Sequence, residues 1–227
     1  MMPSSFSLKN PLTGLKKSKN RELSSIPMTR YIVKDTFFKK AKEKGYRARS
    51  AYKLKEIQNR FRLIKKGDRV LDLGCAPGSF LQVLSGLVGE KGTVVGVDLI
   101  PVEPLSCKNV ITYTCDIRSL PLDKILSGLS LKHFDAITCD ISPNLSGIKE
   151  VDDKNIHELF LSVKDIIKKS LKTGGNLVLK SFFSENLKEI IRDLKRFFKQ
   201  VTLFKPAASR SRSSEIYLIC ICKLTDK

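Results

Sequence analysis

Histidine occurs only twice in the chain, at His133 and His157, and no C-x-x-C pair exists among the cysteines at 75, 107, 115, 139, 220 and 222. A zinc centre on the usual His and Cys spacings is therefore excluded, and no metal is expected. The cysteines fall mostly inside apolar, strand-like runs, where they read as small buried hydrophobes of a reducing compartment. No run approaches the ~20 apolar residues of a membrane span. The N-terminus lacks an apolar signal core, which points to the cytoplasm. Acidic residues are also scarce, at 23 against 42 Lys and Arg, leaving a net charge of +19.

That imbalance is local. Residues 1–66 hold 19 of the basic residues and 4 of the acidic ones, so 19 − 4, or +15, of the excess lies there. A basic region of this kind fits a polyanionic partner. A membrane surface would need a broad, bulky apolar stripe, and Tyr31–Lys55 shows none. Nucleic acid is the better match. With 227 residues, 41% hydrophobic and 29% charged, the chain reads as one domain plus extensions, and as a monomer. Residues 1–29, rich in Ser, Lys, Asn and Pro, read as a disordered basic tail. A mitochondrial transit peptide is the alternative, though arginines are few and no amphipathic period is clear. Residues 30–66 read as a basic helical extension and residues 67–227 as the main domain. No internal repeat appears.

From residue 67 onward strand and helix signals alternate. Strands are expected at Arg69–Leu73, Thr93–Asp98, Val110–Cys115, Phe134–Asp140, Asn176–Lys180, Gln200–Phe204 and Glu215–Lys223. Helices are expected at Arg30–Lys44, Ala51–Phe61, Ser79–Leu87, Asp123–Ser130, Asp153–Leu171 and Glu185–Phe198. This alternation predicts a mainly parallel seven-stranded α/β sheet with helices on both faces. The last two strands lack an intervening helix, so one strand enters antiparallel. That is the Rossmann-like layout of class I methyltransferases.

The organising stretch is Val70–Phe80, V-L-D-L-G-C-A-P-G-S-F. A buried strand carrying Asp72 meets a turn at Gly74, Pro77 and Gly78, and Ser79 is placed to cap a helix opening at Phe80. Such a cradle at the carboxyl edge of a parallel sheet suits a nucleotide-like ligand. The spacing is neither G-x-G-x-x-G nor a P-loop, which disfavours dinucleotides and nucleoside triphosphates. S-adenosylmethionine, with its adenosine and amino-acid ends, fits. Asp98 ends the second strand ~20 residues downstream, where an acid takes ribose hydroxyls. Asp116 follows the third strand, where a carboxylate can accept the adenine amino group. Asp140 and Lys180 end the fourth and fifth.

Five ordered blocks carry a specific resemblance: Gly45-Tyr-Arg-Ala-Arg-Ser-Ala-Tyr-Lys-Leu54, Asp72-Leu-Gly-Cys-Ala-Pro-Gly78, Cys139-Asp-Ile-Ser-Pro-Asn-Leu-Ser-Gly147, Leu179-Lys-Ser-Phe182 and Lys205-Pro-Ala-Ala-Ser-Arg-Ser-Arg-Ser-Ser-Glu215. Over roughly Tyr31 to Lys223 the chain resembles the FtsJ-type 2′-O-ribose methyltransferases of large-subunit ribosomal RNA, which modify a uridine. The resemblance implies a catalytic tetrad at Lys53, Asp140, Lys180 and Glu215, and cofactor contacts at Gly78, Phe80, Asp98, Asp116 and Asp140. Family members commonly carry Gly-Trp where this chain has Ser79-Phe80, so an indole N–H is missing there.

In-line methyl transfer to a ribose hydroxyl needs the hydroxyl proton drawn away. Lys180 is the expected base. Burial, the Lys53 ammonium and a sulfonium would lower its pKa, against the opposing pull of Asp140 and Glu215. Arg47, Arg49 and Lys55 before the site, and Arg210 and Arg212 after it, are expected to contact RNA phosphates. Three other readings are open: action on another RNA such as transfer RNA, a base methyltransferase using Cys139, and a non-catalytic RNA-binding adaptor. A base methylator should carry Pro-Cys or Asn-Pro-Pro-aromatic signatures, which are missing. An adaptor has no need of four intact tetrad positions. A nicotinamide dehydrogenase fails on the glycine spacing.

Overall fold

The computed structural model describes residues 29–143, 146–210 and 213–225. The expected basic tail, Asn144 of the fourth-strand block and Arg212 lie outside these. In chain order the elements are α1 (Thr29–Glu43), α2 (Ser50–Phe61), β1 (Arg69–Leu73), α3 (Ser79–Val88), β2 (Thr93–Asp98), β3 (Val110–Thr114), a 3₁₀ turn (Ile117–Ser119), α4 (Leu122–Gly128), β4 (Phe134–Cys139), α5 (Lys149–Ser170), β5 (Leu171–Phe182), α6 (Leu187–Phe197), β6 (Phe198–Phe204) and β7 (Glu215–Lys223).

One seven-stranded sheet runs β3-β2-β1-β4-β5-β7-β6. Strands β3, β2, β1, β4 and β5 are mutually parallel, and β7 is antiparallel to both β5 and β6. The expected architecture is therefore present. The chain leaves β1 toward β2 and β3, then returns to β4 on the other flank of β1. This reversal opens the crevice in which doubly wound sheets hold their ligands.

Strand side chains alternate between two cores. Leu71, Leu73, Ile137 and Leu179 pack with α4, α5 and α6. Val70, Ala136, Val178 and Tyr217 pack with α2 and α3 on the opposite face. Burial on both faces explains the near-continuous apolar strands. Helix α2 belongs to this second core through Ala51, Leu54 and Ile57, all fully buried. Burying a side chain such as Leu54 or Ile57 contributes roughly 1.5–3 kcal/mol. The α2 side chains are thereby fixed relative to the sheet.

Two expectations are corrected. Strand β5 begins at Leu171, directly after α5, rather than at Asn176. Leu171 already pairs with Phe134, and the ladder resumes at Asn176 after an irregularity spanning Gly174, whose φ is +79°. A glycine pair there masks a strand in the sequence. Ser79 does not cap α3. The cap position is Gly78, at φ +106°, and the buried Ser79 hydroxyl instead meets the Ser50 hydroxyl of α2 at 2.7 Å.

Candidate active site

Beyond the carboxyl ends of β1, β2, β3 and β4 lies a cavity of about 680 Å³, walled by Gly74, Ala76, Asp98, Ile100, Asp116 and Asp140 among others. Its floor depends on a glycine: a Cβ on Gly74, at φ +76°, would stand 2.5 Å from Ile141 Cγ1 and 2.9 Å from the Ile141 nitrogen. Asp98 braces the walls. One carboxylate oxygen accepts the Ala76 N–H at 2.8 Å and the other the Ile100 N–H at 2.9 Å. Each oxygen keeps lone pairs for ribose hydroxyls. Asp116 caps the 3₁₀ turn and is ion-paired with Arg118, whose hydrogen bonds hold its carboxyl below the ordinary range.

The other expected cofactor residues stand behind this wall. Asp72 is completely buried in β1. One of its oxygens accepts the Thr138 hydroxyl at 2.6 Å, and Oδ2 has no partner among the described residues. Burial pushes its pKa well up, Thr138 opposes this, and the nearby charges of Asp140 and Asp98 add to it. Phe80 is packed in the α2–α3 core, which answers for the aromatic body that the family carries there. Pro77 and Gly78 complete the turn outside the cavity lining. A glycine cradle that any side chain would fill and carboxylates at successive strand ends together fit an adenosyl ligand.

Beside Asp140 the four expected tetrad residues converge. Lys53 Nζ, from α2, lies 2.6 Å from Glu215 Oε1. Lys180 Nζ lies 3.5 Å from Asp140 Oδ1 and 3.5 Å from Glu215 Oε2, and donates to the Asp140 carbonyl at 3.4 Å. The side chains of Lys53, Lys180 and Glu215 are all at least nine-tenths buried. For Glu215, burial favours the neutral acid. The hydrogen bond and charge of Lys53, a hydrogen bond from Ser209 and the charge of Lys180 outweigh it and lower the pKa.

Three participants escaped the sequence reading. Tyr217, fully buried on β7, donates its hydroxyl to Asp140 Oδ1 at 2.5 Å, and Lys53 Nζ lies 5.8 Å from its ring centre. Two-residue strand periodicity puts it on the same face as Glu215, and that was the available signal. Ser209 donates to Glu215 Oε1 at 2.8 Å. Glu56 accepts the N–H groups of Ala207 at 2.6 Å and Ala208 at 3.0 Å, tying α2 to the β6–β7 loop.

The basic residues divide. Arg49 is half-buried, and its pKa is lowered by burial and by the charge of Arg210, against the pull of Glu215. Lys55 Nζ sits 5.3 Å from the Tyr46 ring centre and 5.7 Å from that of Tyr52. Arg47 points elsewhere. Its guanidinium donates to the carbonyls of Pro77, Glu103 and Pro104 at 2.9, 2.7 and 2.7 Å. Burial keeps the thiol of Cys139 protonated, its pKa pushed up to about 12, which counts against a cysteine nucleophile beside Asp140. Among the described residues no group of three His, Cys, Asp or Glu could hold a metal, and no helix is long and apolar enough to cross a membrane.

Sheet order, cradle and strand-end acids define a class I methyltransferase, with S-adenosyl-L-methionine as the methyl donor its pocket suits. A family model described as FtsJ-like methyltransferase matches residues 46–223, and the chain belongs to that family. Ribosomal RNA large subunit methyltransferase E of Methanothrix thermoacetophila is 43% identical over 187 residues, covering 82% of this chain and 71% of that protein. Its namesake in Syntrophobacter fumaroxidans is 41% identical over 191 residues, covering 83% and 95%. A solved structure described as a ribosomal RNA methyltransferase from Plasmodium falciparum is 30% identical, with a TM-score of 0.72 over 80% of this chain and 100% of that one. A fibrillarin from Methanococcus jannaschii, 16% identical with a TM-score of 0.51 over 72% and 70%, shares the fold.

Proposed function

We propose that this chain transfers a methyl group from S-adenosylmethionine to the 2′-hydroxyl of a ribose in large-subunit ribosomal RNA, at a uridine, with Lys180 as general base. One observation carries the reading. The Lys180 amine, on a side chain about nine-tenths buried, is held at 3.5 Å from both Asp140 and Glu215, beside the cavity wall that Asp140 itself forms.

When bound, the cofactor supplies an electrophilic methyl on a sulfonium. The protein's own groups do the rest. Asp98 and Asp116 stand at the positions that receive the ribose and adenine of the donor. The Lys53–Glu215 pair forms the far wall of the acceptor site and orients the incoming sugar. Lys180, in its neutral form, accepts the proton as the ribose O–H bond breaks. Holding the two reactants in line supplies much of the acceleration. Arg49, Lys55 and Arg210 would grip phosphates on the rim without reading sequence, and Arg212, outside the described residues, is assigned the same role from the sequence alone. The relatives' names place them on ribosomal RNA, and the basic extension of this chain is in keeping with such a substrate.

The test is to incubate the purified protein with labelled S-adenosylmethionine and large ribosomal subunits, then map 2′-O-methyl marks. A single uridine mark, absent when that position is 2′-deoxy, is expected. Label on a base, or on transfer RNA alone, would overturn the assignment.

A further inference from the structure

The connector between α1 and α2 is strapped onto the cofactor pocket. Arg47 reaches three backbone carbonyls on two separate loops: Pro77 in the turn after β1, and Glu103 and Pro104 in the segment after β2. Its own N–H donates to Gln82 Oε1 of α3 at 2.9 Å, and Gln82 Nε2 returns a bond to the Gly45 carbonyl at 2.8 Å. The side chain lies directly over Gly78. A Cβ there would stand 3.1 Å from Arg47 Nη1 and 3.2 Å from Val102 Cγ1.

The two loops are the facing walls of the donor pocket. One carries Gly74 and Ala76, the other begins at Asp98 and passes Leu99 and Ile100. Asp98 already joins them at the base through its bonds to the N–H groups of Ala76 and Ile100. Arg47 closes the same pair of loops further out. A planar fork spreads its donors over separate nitrogens and here spans three fixed carbonyls from Nη1 and Nη2, whereas an ammonium's donors all radiate from one nitrogen. Three of the guanidinium's five donors are thus committed to backbone carbonyls.

Resting on the methyltransferase reading above, we propose that Arg47 is a positioning residue for the methyl donor. It sets the spacing of the two loops that wall the adenosyl pocket, and it is not a phosphate contact. The sequence motif that carries Lys53 to the acceptor thereby also shapes the donor pocket.

The experiment measures S-adenosylmethionine affinity by calorimetry, without RNA, for wild type, Arg47→Ala and Arg47→Lys. RNA affinity is measured in parallel across a salt series. Both variants are expected to bind the donor about tenfold more weakly, with a raised KM for the donor and kcat near wild type at saturation. The salt slope of RNA binding should not change. A merely destabilised protein would lower the number of competent sites and leave the affinity of the remaining ones intact. Donor affinity within twofold of wild type in both variants would overturn the proposal. So would full rescue by Arg47→Lys, because charge alone would then suffice, or a salt slope reduced by about one, the mark of a lost phosphate contact. If Arg47→Ala does not fold, Arg47→Lys decides by the same criteria. Failure of the wild type itself to bind the donor would sink the methyltransferase reading instead.

Discussion

Tyr217 and Asp140 are joined by a hydrogen bond of 2.5 Å that links the antiparallel strand β7 to the end of β4, across the strand that carries Lys180. Burial pushes the Tyr217 phenol well above its ordinary pKa, and the charges of Asp140 and Glu215 push it the same way. The phenol therefore stays a donor throughout the neutral and mildly alkaline range. Its partner Asp140 faces the methyl-donor cavity and Lys180 at once. Tyr217→Phe keeps the ring against Lys53 but leaves Asp140 Oδ1 with only its longer contact to Lys180. We expect kcat to fall about tenfold and stability by about 1 kcal/mol. Single-turnover methylation and urea unfolding would check both, and unchanged kcat would remove Tyr217 from the site.

Lys180→Met replaces the amine by an apolar chain of similar length. Turnover should drop by about 10²–10⁴-fold, as expected for a lost general base. The affinity for S-adenosylmethionine, measured by calorimetry, should stay within about twofold, because the cavity lining does not include Lys180. Retained turnover would assign the proton to another group.

Glu56 acts at a distance through the loop it holds. Glu56→Ala leaves the N–H groups of Ala207 and Ala208 without their acceptor and loosens Ser209, which bonds Glu215. The expected result is a kcat several-fold lower, about fivefold, with donor affinity unaltered. Steady-state kinetics at saturating RNA would reveal it. A matched change in donor affinity would contradict this route.

The buried Asp72 predicts a pH signature. Its folded pKa is raised by burial, so on raising the pH the unfolded chain loses this proton first, near its reference value of ~3.9. Folding stability attributable to this group is then lost as pH climbs from about 4 toward the folded pKa. Asp72→Asn keeps an oxygen for Thr138 and has no proton to lose. Its stability relative to wild type should therefore improve as the pH rises above about 4 in the absence of the donor. Urea midpoints across that range test it; a constant difference would mean the carboxyl is already ionised in the fold.

Much of this was legible in the sequence because the strands are buried on both faces and end in polar residues. Val70–Leu73 and Phe134–Cys139 announce themselves as apolar runs, and the acids just beyond such runs, Asp98, Asp116 and Asp140, mark the ligand edge. The pairing of Lys53 with Glu215 was implied only by resemblance, since no local pattern links residues so far apart. What stayed hidden depends on tertiary proximity. Arg47 looks like any other basic residue until the carbonyls of two loops are seen to converge on it. Ser79 has the right chemistry for a cap, but its hydroxyl is claimed by Ser50. The first half of β5 is disguised by Gly174 and Gly175. Tyr217 reads as core, and it is core; its hydroxyl alone makes it part of the site.

The placement of β7 between β5 and β6 has a consequence for how the site is put together. Glu215 and Tyr217 open the seventh strand in chain order, and that strand lies between two neighbours that precede it in the sequence. Without β7, Lys53 would lack Glu215 and Lys180 would keep Asp140 alone, so the acceptor side would be incomplete. The acceptor side proposed above is therefore assembled only once β7 has taken its place in the sheet.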